Sequence, residues 1–176
     1  EIFDLSGLQY NYEVILLKIK SFKPDVVGIT ATTPLMNQLR DISVLIKNLN
    51  SNIIVVAGGA HPSALPYETL MESMCDAVTV GESDYTFPEI CNGIKLRNIK
   101  GIYYRDKNGN IIQNELRPLI HNLDELPMPA FDLYDVKSYN SVPKLLARRT
   151  PVTMVEFSRG CVFKCDFCAS KITMAQ

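Results

Sequence analysis

The sequence predicts an α/β domain built on a doubly wound parallel sheet, followed by a small β-hairpin and one further strand. Three observations carry that expectation. Short β-branched runs alternate with helical segments over residues 1–95. The runs are continuously apolar, as in strands buried on both faces. Each is followed by a loop rich in Gly, Ser, Thr or Pro.

The elements follow in order. EIFDL (1–5) is an apolar strand candidate, and NYEVILLKIKSF (11–22) has a helical pattern. DVVGIT (25–30) is a buried strand. Leu35, Leu39, Ile42, Ile46 and Leu49 recur at steps of four and three, one apolar helix face. NIIVVAGG (52–59) is the next strand, ended by paired glycines. A short helix is expected over 67–74, a strand over DAVTVGE (76–82) and a helix near 86–92. Strand–helix repeats of this kind give a parallel sheet with helices on both faces and right-handed crossovers. In such sheets ligands bind beyond the carboxyl ends of the strands. The loops there are TATTP (30–34), GGAHPS (58–63) and GESDYT (81–86), whose small residues let a ligand approach the backbone.

From residue 96 the pattern changes. GIYYR and NIIQNE flank DKNGN, and Asn108-Gly109 is a two-residue hairpin signal. Residues 122–143 are punctuated by proline and read as a surface linker, with His121 at its edge as a structural residue. VTMVEF (152–157) reads as one more strand. The division is therefore 1–95, 96–150 and 151–176.

Composition bounds the function. The chain has 176 residues with 18 basic and 19 acidic side chains and no basic stripe, so nucleic acid is not an expected partner. No apolar run reaches the ~18 residues of a membrane span. Of the five cysteines, Cys75 and Cys91 lie in helix-like surroundings and are expected to be buried as small apolar residues. An aliphatic core of this size does not need disulfides, and a reducing cytoplasm fits the cysteine usage.

The other three cysteines carry the chemistry. Cys161, Cys165 and Cys168 stand in SRGCVFKCDFCAS at C-x3-C-x2-C spacing, with Phe167 before the last. Three thiolates can hold three irons of a 4Fe–4S cluster and leave the fourth open, and an open metal position is where substrate enters. Half of a zinc site is the alternative; it lacks a second cysteine pair or nearby histidines, since His61 and His121 are both distant in sequence. Arg159 and Lys164 flank the ligands, either as cations that lower thiolate pKa or as solvated side chains.

The cysteine string resembles the signature of the radical S-adenosylmethionine (SAM) enzymes. The resemblance implies that Cys161, Cys165 and Cys168 ligate the cluster, that SAM occupies the open iron, and that Phe167 lies near the adenine. Reductive cleavage of SAM then yields a 5′-deoxyadenosyl radical. A second resemblance covers most of residues 1–95. PDVVGITATTP, VVAGGAHPSALP and VTVGESD look like the Rossmann-like, flavodoxin-like cobalamin-binding domain that precedes many radical SAM barrels. It implies that Thr30, Thr32, Thr33, Gly58 and Gly59 line the slot for the cobalamin nucleotide tail, with Gly81 and Glu82 at the third loop. The glycine pair could instead serve only a tight strand exit. The Asp-x-His-x-x-Gly string that supplies a cobalt ligand in mutases is absent. His61 is either a substitute ligand or a turn residue with a satisfied ring.

By these resemblances the chain is expected to be a piece of a cobalamin-dependent radical SAM enzyme, starting at the second strand of the first domain and ending early in a (β/α) barrel, which takes ~250 residues. The piece itself is expected to lack turnover. The implied cofactors are a 4Fe–4S cluster, SAM and cobalamin. The implied partners are a small-molecule substrate, porphyrin-like in one branch of the family, and a reductant protein such as flavodoxin or ferredoxin. Methyl transfer and oxidative cyclisation both remain open. The competing reading is a non-enzymatic flavodoxin-like binding or sensor domain with a metal-binding tail. A methylthiotransferase would need three further cysteines where only Cys75 and Cys91 stand.

Overall fold

The computed structural model describes residues 1–3, 11–133, 156–163 and 165–169. It divides into two compact units, residues 12–121 with 160–176 and residues 1–11 with 122–159.

The first unit is the α/β domain. Its elements are α1 (Tyr12–Phe22), β1 (Val26–Thr30), α2 (Met36–Leu49), β2 (Ile54–Gly58), α3 (Ala60–Ala64), α4 (Pro66–Glu72), β3 (Ala77–Thr79), α5 (Thr86–Cys91), β4 (Ile102–Arg105) and β5 (Ile111–Gln113). The sheet order is β1-β2-β3-β4-β5. β1, β2 and β3 are parallel, with Val26 opposite Ile54 and Val56 opposite Ala77. β4 and β5 continue the sheet antiparallel to their neighbours.

Both faces of the sheet are covered at β2 and β3, whereas β1, expected to be buried on both faces, stands at the end of the strand order with no fully buried residue. On one face Val56, Ala77, Ile90, Ile99 and Ile102 form a buried cluster, flanked by Val26, Ile54, Phe87 and Tyr104. Gly28 lets α5 approach β1 on this face: a Cβ there would stand 2.8 Å from the Phe87 ring. The alternate residues Val55, Ala57 and Val78 are fully buried on the other face, where α2 and α4 pack. The α2 stripe is the one the periodicity defines, with Leu39, Ile42 and Ile46 buried. Ser43 is buried in the same stripe. It is satisfied by donating to Arg40 O (2.7 Å) and accepting from Met74 N–H (3.0 Å).

The hairpin differs from its expectation in two ways. It joins the edge of β3 instead of standing as a separate ribbon, because Ala77–Thr79 pairs with Tyr104–Ile102. Its turn also spans three residues. Gly109 N–H donates to Asp106 O at 3.1 Å, and Asp106 N–H donates to Asn110 O at 2.8 Å. Only Gly109 has positive φ, at 84°, and Asn108 does not, so the two-residue primed turn is excluded. Asp106 closes the loop through the Asn108 and Asn110 amides, both at 2.8 Å. These bonds, with that from the Asn110 side chain foremost, hold its carboxyl below the usual carboxylate range.

Two strand expectations fall largely outside the described residues. Residues 1–3 of EIFDL have no regular structure, and residues 4–10 are not described. Of VTMVEF, Glu156 and Phe157 are described as exposed and outside any strand. In the second unit, 3-10 turns at Leu123–Glu125 and Phe131–Leu133 punctuate the proline-rich segment, the first capped by Asn122.

A polar clamp closes the amino edge of the sheet. Asp76 accepts the Val55 N–H at 2.7 Å and pairs with Lys47 at 2.6 Å. The Lys47 ammonium also donates to Ile53 O at 2.7 Å and is largely buried. Removing one partner of a largely buried pair strands the other. Asp76→Ala is therefore expected to lower unfolding free energy by about 2–3 kcal/mol in urea denaturation. Lys100→Ala, which breaks an exposed pair with Glu115, should cost less than about 0.5 kcal/mol.

Candidate functional site: the carboxyl edge of the parallel sheet

β1, β2 and β3 end side by side at Thr30, Gly58 and Thr79, and their outgoing loops interlock. Ala31 N–H donates to Gly58 O at 2.9 Å, and His61 N–H donates back to Ala31 O at 3.3 Å. The second loop rises from Gly59 in a conformation (φ 96°, ψ −171°) that side-chain-bearing residues avoid. Space forbids a side chain as well. A Cβ on Gly59 would sit 2.7 Å from Thr30 Oγ1 and 2.9 Å from Ala31 O, and one on Gly58 would sit 2.9 Å from Thr79 Oγ1. The glycine pair thus makes a tight strand exit, with the space beside it already filled by the Thr30 and Thr79 hydroxyls and the Ala31 backbone.

The remaining candidates surround this exit. Thr33 Oγ1 and His61 Nδ1 lie 3.0 Å apart, a bond that ties the first loop to the second. His61 therefore has one ring nitrogen satisfied, as a turn residue would. Thr32 is exposed, and its hydroxyl makes no capping bond to the 3-10 turn at Thr33–Leu35. Gly81 has φ 73°, and its N–H donates to Ser63 Oγ at 3.1 Å, linking the third loop to the second. Glu82 accepts the Ile120 N–H at 2.8 Å, so its carboxylate engages the chain that leaves β5.

Sequence reasoning passed over Ser63, Thr79, Thr86 and Arg117. Ser63 and Thr79 are buried beneath the loops. The lone hydroxyl in the apolar run AVTV was the available signal for Thr79. Thr86 and Arg117 meet only through tertiary structure, with Arg117 Nε donating to Thr86 Oγ1 at 2.9 Å.

The cysteines divide differently from expectation. Cys75 is buried, and burial pushes its thiol up to about 11, the Ser73 hydrogen bond opposing. Cys91, expected to be buried, is exposed at the last residue of α5, because the helix turns its Ile90 and Thr86 inward instead. Cys161, Cys165 and Cys168 are exposed. Cys165 and Cys168 share a turn, with Cys168 N–H donating to Cys165 O at 3.2 Å. Among the described residues no three His, Cys, Asp or Glu side chains are gathered as a metal site, so the three sulfurs are not drawn into one ligand group. Three exposed thiols within eight residues are a donor set of the kind that iron–sulfur clusters take. Phe167 is exposed beside them. No helix among the described residues is long and apolar enough to cross a membrane.

The carboxyl edge carries the exposed hydroxyls of Thr32 and Thr33 beside the close-packed glycine exit. These features define a doubly wound α/β domain, and comparison with known proteins specifies its family. The chain belongs to the B12-binding domain family, whose sequence model matches residues 2–91. It is 41% identical to an uncharacterized methyltransferase of Pyrococcus horikoshii, over 98% of this chain and 37% of that protein. It is 29% identical to the anaerobic magnesium-protoporphyrin IX monomethyl ester cyclase of Rubrivivax gelatinosus, over 86% of this chain and 28% of that protein. The chain thus spans about a third of these relatives. Among solved structures it resembles the cobalamin-dependent SAM radical enzyme OxsB with aqua-cobalamin and SAM bound, at a TM-score of 0.64 and 21% identity, covering 76% of this chain and 19% of that one. It also resembles the radical SAM methyltransferase TsrM from Kitasatospora setae, at a TM-score of 0.58 and 18% identity, covering 72% and 25%. At these identities the likeness is one of fold.

Gly59→Ala should cost about 2–3 kcal/mol in denaturation, from strain plus the Thr30 contact. Gly109→Ala meets nothing within 4 Å and should cost about 1 kcal/mol from its positive φ alone. At pH 8 iodoacetamide should label Cys91 within minutes and leave Cys75 unmodified, as read by peptide mass spectrometry.

Proposed function

We propose that residues 1–95 seat cobalamin at the carboxyl edge of the sheet, and that the intact protein is a cobalamin-dependent radical SAM enzyme. The observation that carries the reading is the B12-binding family match over residues 2–91, joined to the tight Gly58-Gly59 exit that draws the threonine loop and the second loop together at this edge. Thr30, Thr32 and Thr33 supply hydroxyls along one side of the edge. The glycines set the first two loops close together, and His61 braces the rim through Thr33. His61 serves as this brace and not as a cobalt ligand.

Residues 151–176 begin the catalytic domain; of residues 96–150, the hairpin belongs to the sheet of the first domain and the rest connects the two. Cys161, Cys165 and Cys168 would hold a 4Fe–4S cluster, with Phe167 against the adenine of SAM. A cluster bound there supplies the electron for reductive cleavage of SAM. The relatives support a methyl transfer or an oxidative ring closure on a small molecule, porphyrin-like in the second case. Electrons would come from a flavodoxin- or ferredoxin-type protein in a reducing cytoplasm.

Two measurements test the reading. Titration with hydroxocobalamin should give a saturable absorbance change at one equivalent. Thr32→Ala should weaken binding about three- to tenfold, the value of one hydrogen bond, with an unchanged denaturation midpoint. Anaerobic reconstitution with iron and sulfide should give a thiolate-to-iron absorption that Cys161→Ala abolishes. A zinc ion with no inorganic sulfide would favour the non-enzymatic sensor instead.

A further inference from the structure

The segment after β5 is held more firmly than a linker needs to be. It continues upward from Gln113 along the flank of the third loop. Asn114 donates from its side chain to Leu96 O (2.8 Å) and Ile99 O (2.7 Å). Gly101 N–H donates to Glu115 O at 2.8 Å. Arg117 bonds Thr86 and forms an ion pair with Glu89, so its guanidinium fastens the segment to α5. The last contact is that of the Ile120 N–H with the Glu82 carboxylate at 2.8 Å, one residue before the unit ends at His121. Glu82 itself sits in the loop at the carboxyl edge.

The bonds between that loop and the glycine exit form a short chain. Ser63 N–H donates to Gly59 O at 3.0 Å, and Ser63 Oγ accepts the Gly81 N–H at 3.1 Å. Glu82 follows Gly81 directly and holds Ile120. Three hydrogen bonds and one peptide unit therefore join the glycine exit to the outgoing connector. Hydrogen bonds to a charged acceptor are the stronger kind, and a contiguous network of this sort can carry coupling between a site and a distant segment.

We propose that Glu82 is a positioning residue: it latches the connector, residues 114–120, to the third loop and transmits occupancy of the carboxyl edge to the outgoing chain. The carboxylate serves the connector and does not contact the cofactor. This extends the proposed function, because the connector leads to the segment that carries the three cysteines. The latch fixes the point at which the chain leaves the cofactor domain.

Amide hydrogen exchange on the 176-residue chain, with and without hydroxocobalamin, tests the assignment. In the absence of cobalamin, Glu82→Ala should speed exchange at Ile120 about tenfold or more, as loss of a charged acceptor implies. Glu82→Gln retains an acceptor oxygen and should restore most of the protection. With the unsubstituted chain, cobalamin should slow exchange at Ile120, and Glu82→Ala should abolish that response while cobalamin affinity stays within about twofold. Unchanged Ile120 exchange in Glu82→Ala would overturn the latch. So would an equal, tenfold or greater loss of cobalamin affinity in both variants, which would make the carboxylate a cofactor ligand. Failure of the unsubstituted chain to bind cobalamin would count against the proposed function, while the exchange of the unliganded variants would still decide the latch.

Discussion

The structure depends on how closely two parallel strands and their outgoing loops meet at Gly59. The bonds between Ala31 and Gly58, and between His61 and Ala31, bring the first and second loops into backbone contact. That contact exists only because no Cβ intrudes between Thr30 and the rising chain. Everything at the carboxyl edge is placed from it. The Thr33–His61 bond spans the same two loops, and Ser63 extends the lattice to the third. A rigid rim made of backbone suits a ligand with a long polar tail, since its amide groups are already oriented and lose little freedom on binding.

The two edges of the sheet are built by opposite means. At the amino edge, Asp76 and Lys47 occupy the ends of β2 and β3 with a largely buried ion pair, and Arg105 donates to Leu70 O across the same end. Charges and long side chains close that edge. At the carboxyl edge the strands end in small residues and hydroxyls. The polar side chains there either brace the loops, as Thr33, His61 and Ser63 do, or turn to the connector, as Glu82 does. Charged pairs thus hold the amino ends of the strands, and backbone contacts with short hydroxyl side chains hold the carboxyl ends. The antiparallel hairpin supports this division. By pairing with β3 it widens the sheet and sends β5 toward the carboxyl edge, so the chain passes the third loop on its way out.

Much of the domain was legible in the sequence because its signals are local. The runs DVVGIT and NIIVVAGG are legible as strands, though only the second has a buried interior, because β1 lies at the end of the strand order; the α2 stripe from Leu39 to Ile46 has an unambiguous helical period. That the three loops adjoin was legible because strand direction places them at one end of the sheet. Other features needed the tertiary fold. α3 is only five residues long and contains Pro62, so no periodicity could reveal it. The Asn108-Gly109 pair suggested a two-residue turn, but Asp106 two positions earlier imposed a longer loop by capping amides on its far side. Cys91 was placed inside on residue type alone, whereas its position on α5 turns it outward. The partners of Glu82 and Asp76 lie 38 and 21 residues away, a separation at which charge pattern carries no information. The spacing of the cysteine string was legible at once, but its geometry was not: the three sulfurs are exposed and form no metal-ligand group among the described residues.

The central claim is that this edge of the sheet, and no other surface, receives cobalamin. Backbone amide chemical-shift mapping on addition of hydroxocobalamin tests it most directly. The account predicts shifts concentrated at residues 30–33, 58–63 and 79–82, with the amides near Lys47, Asp76 and Arg105 unmoved. Shifts clustered at those amino-edge residues, or no saturable shifts at all, would contradict it.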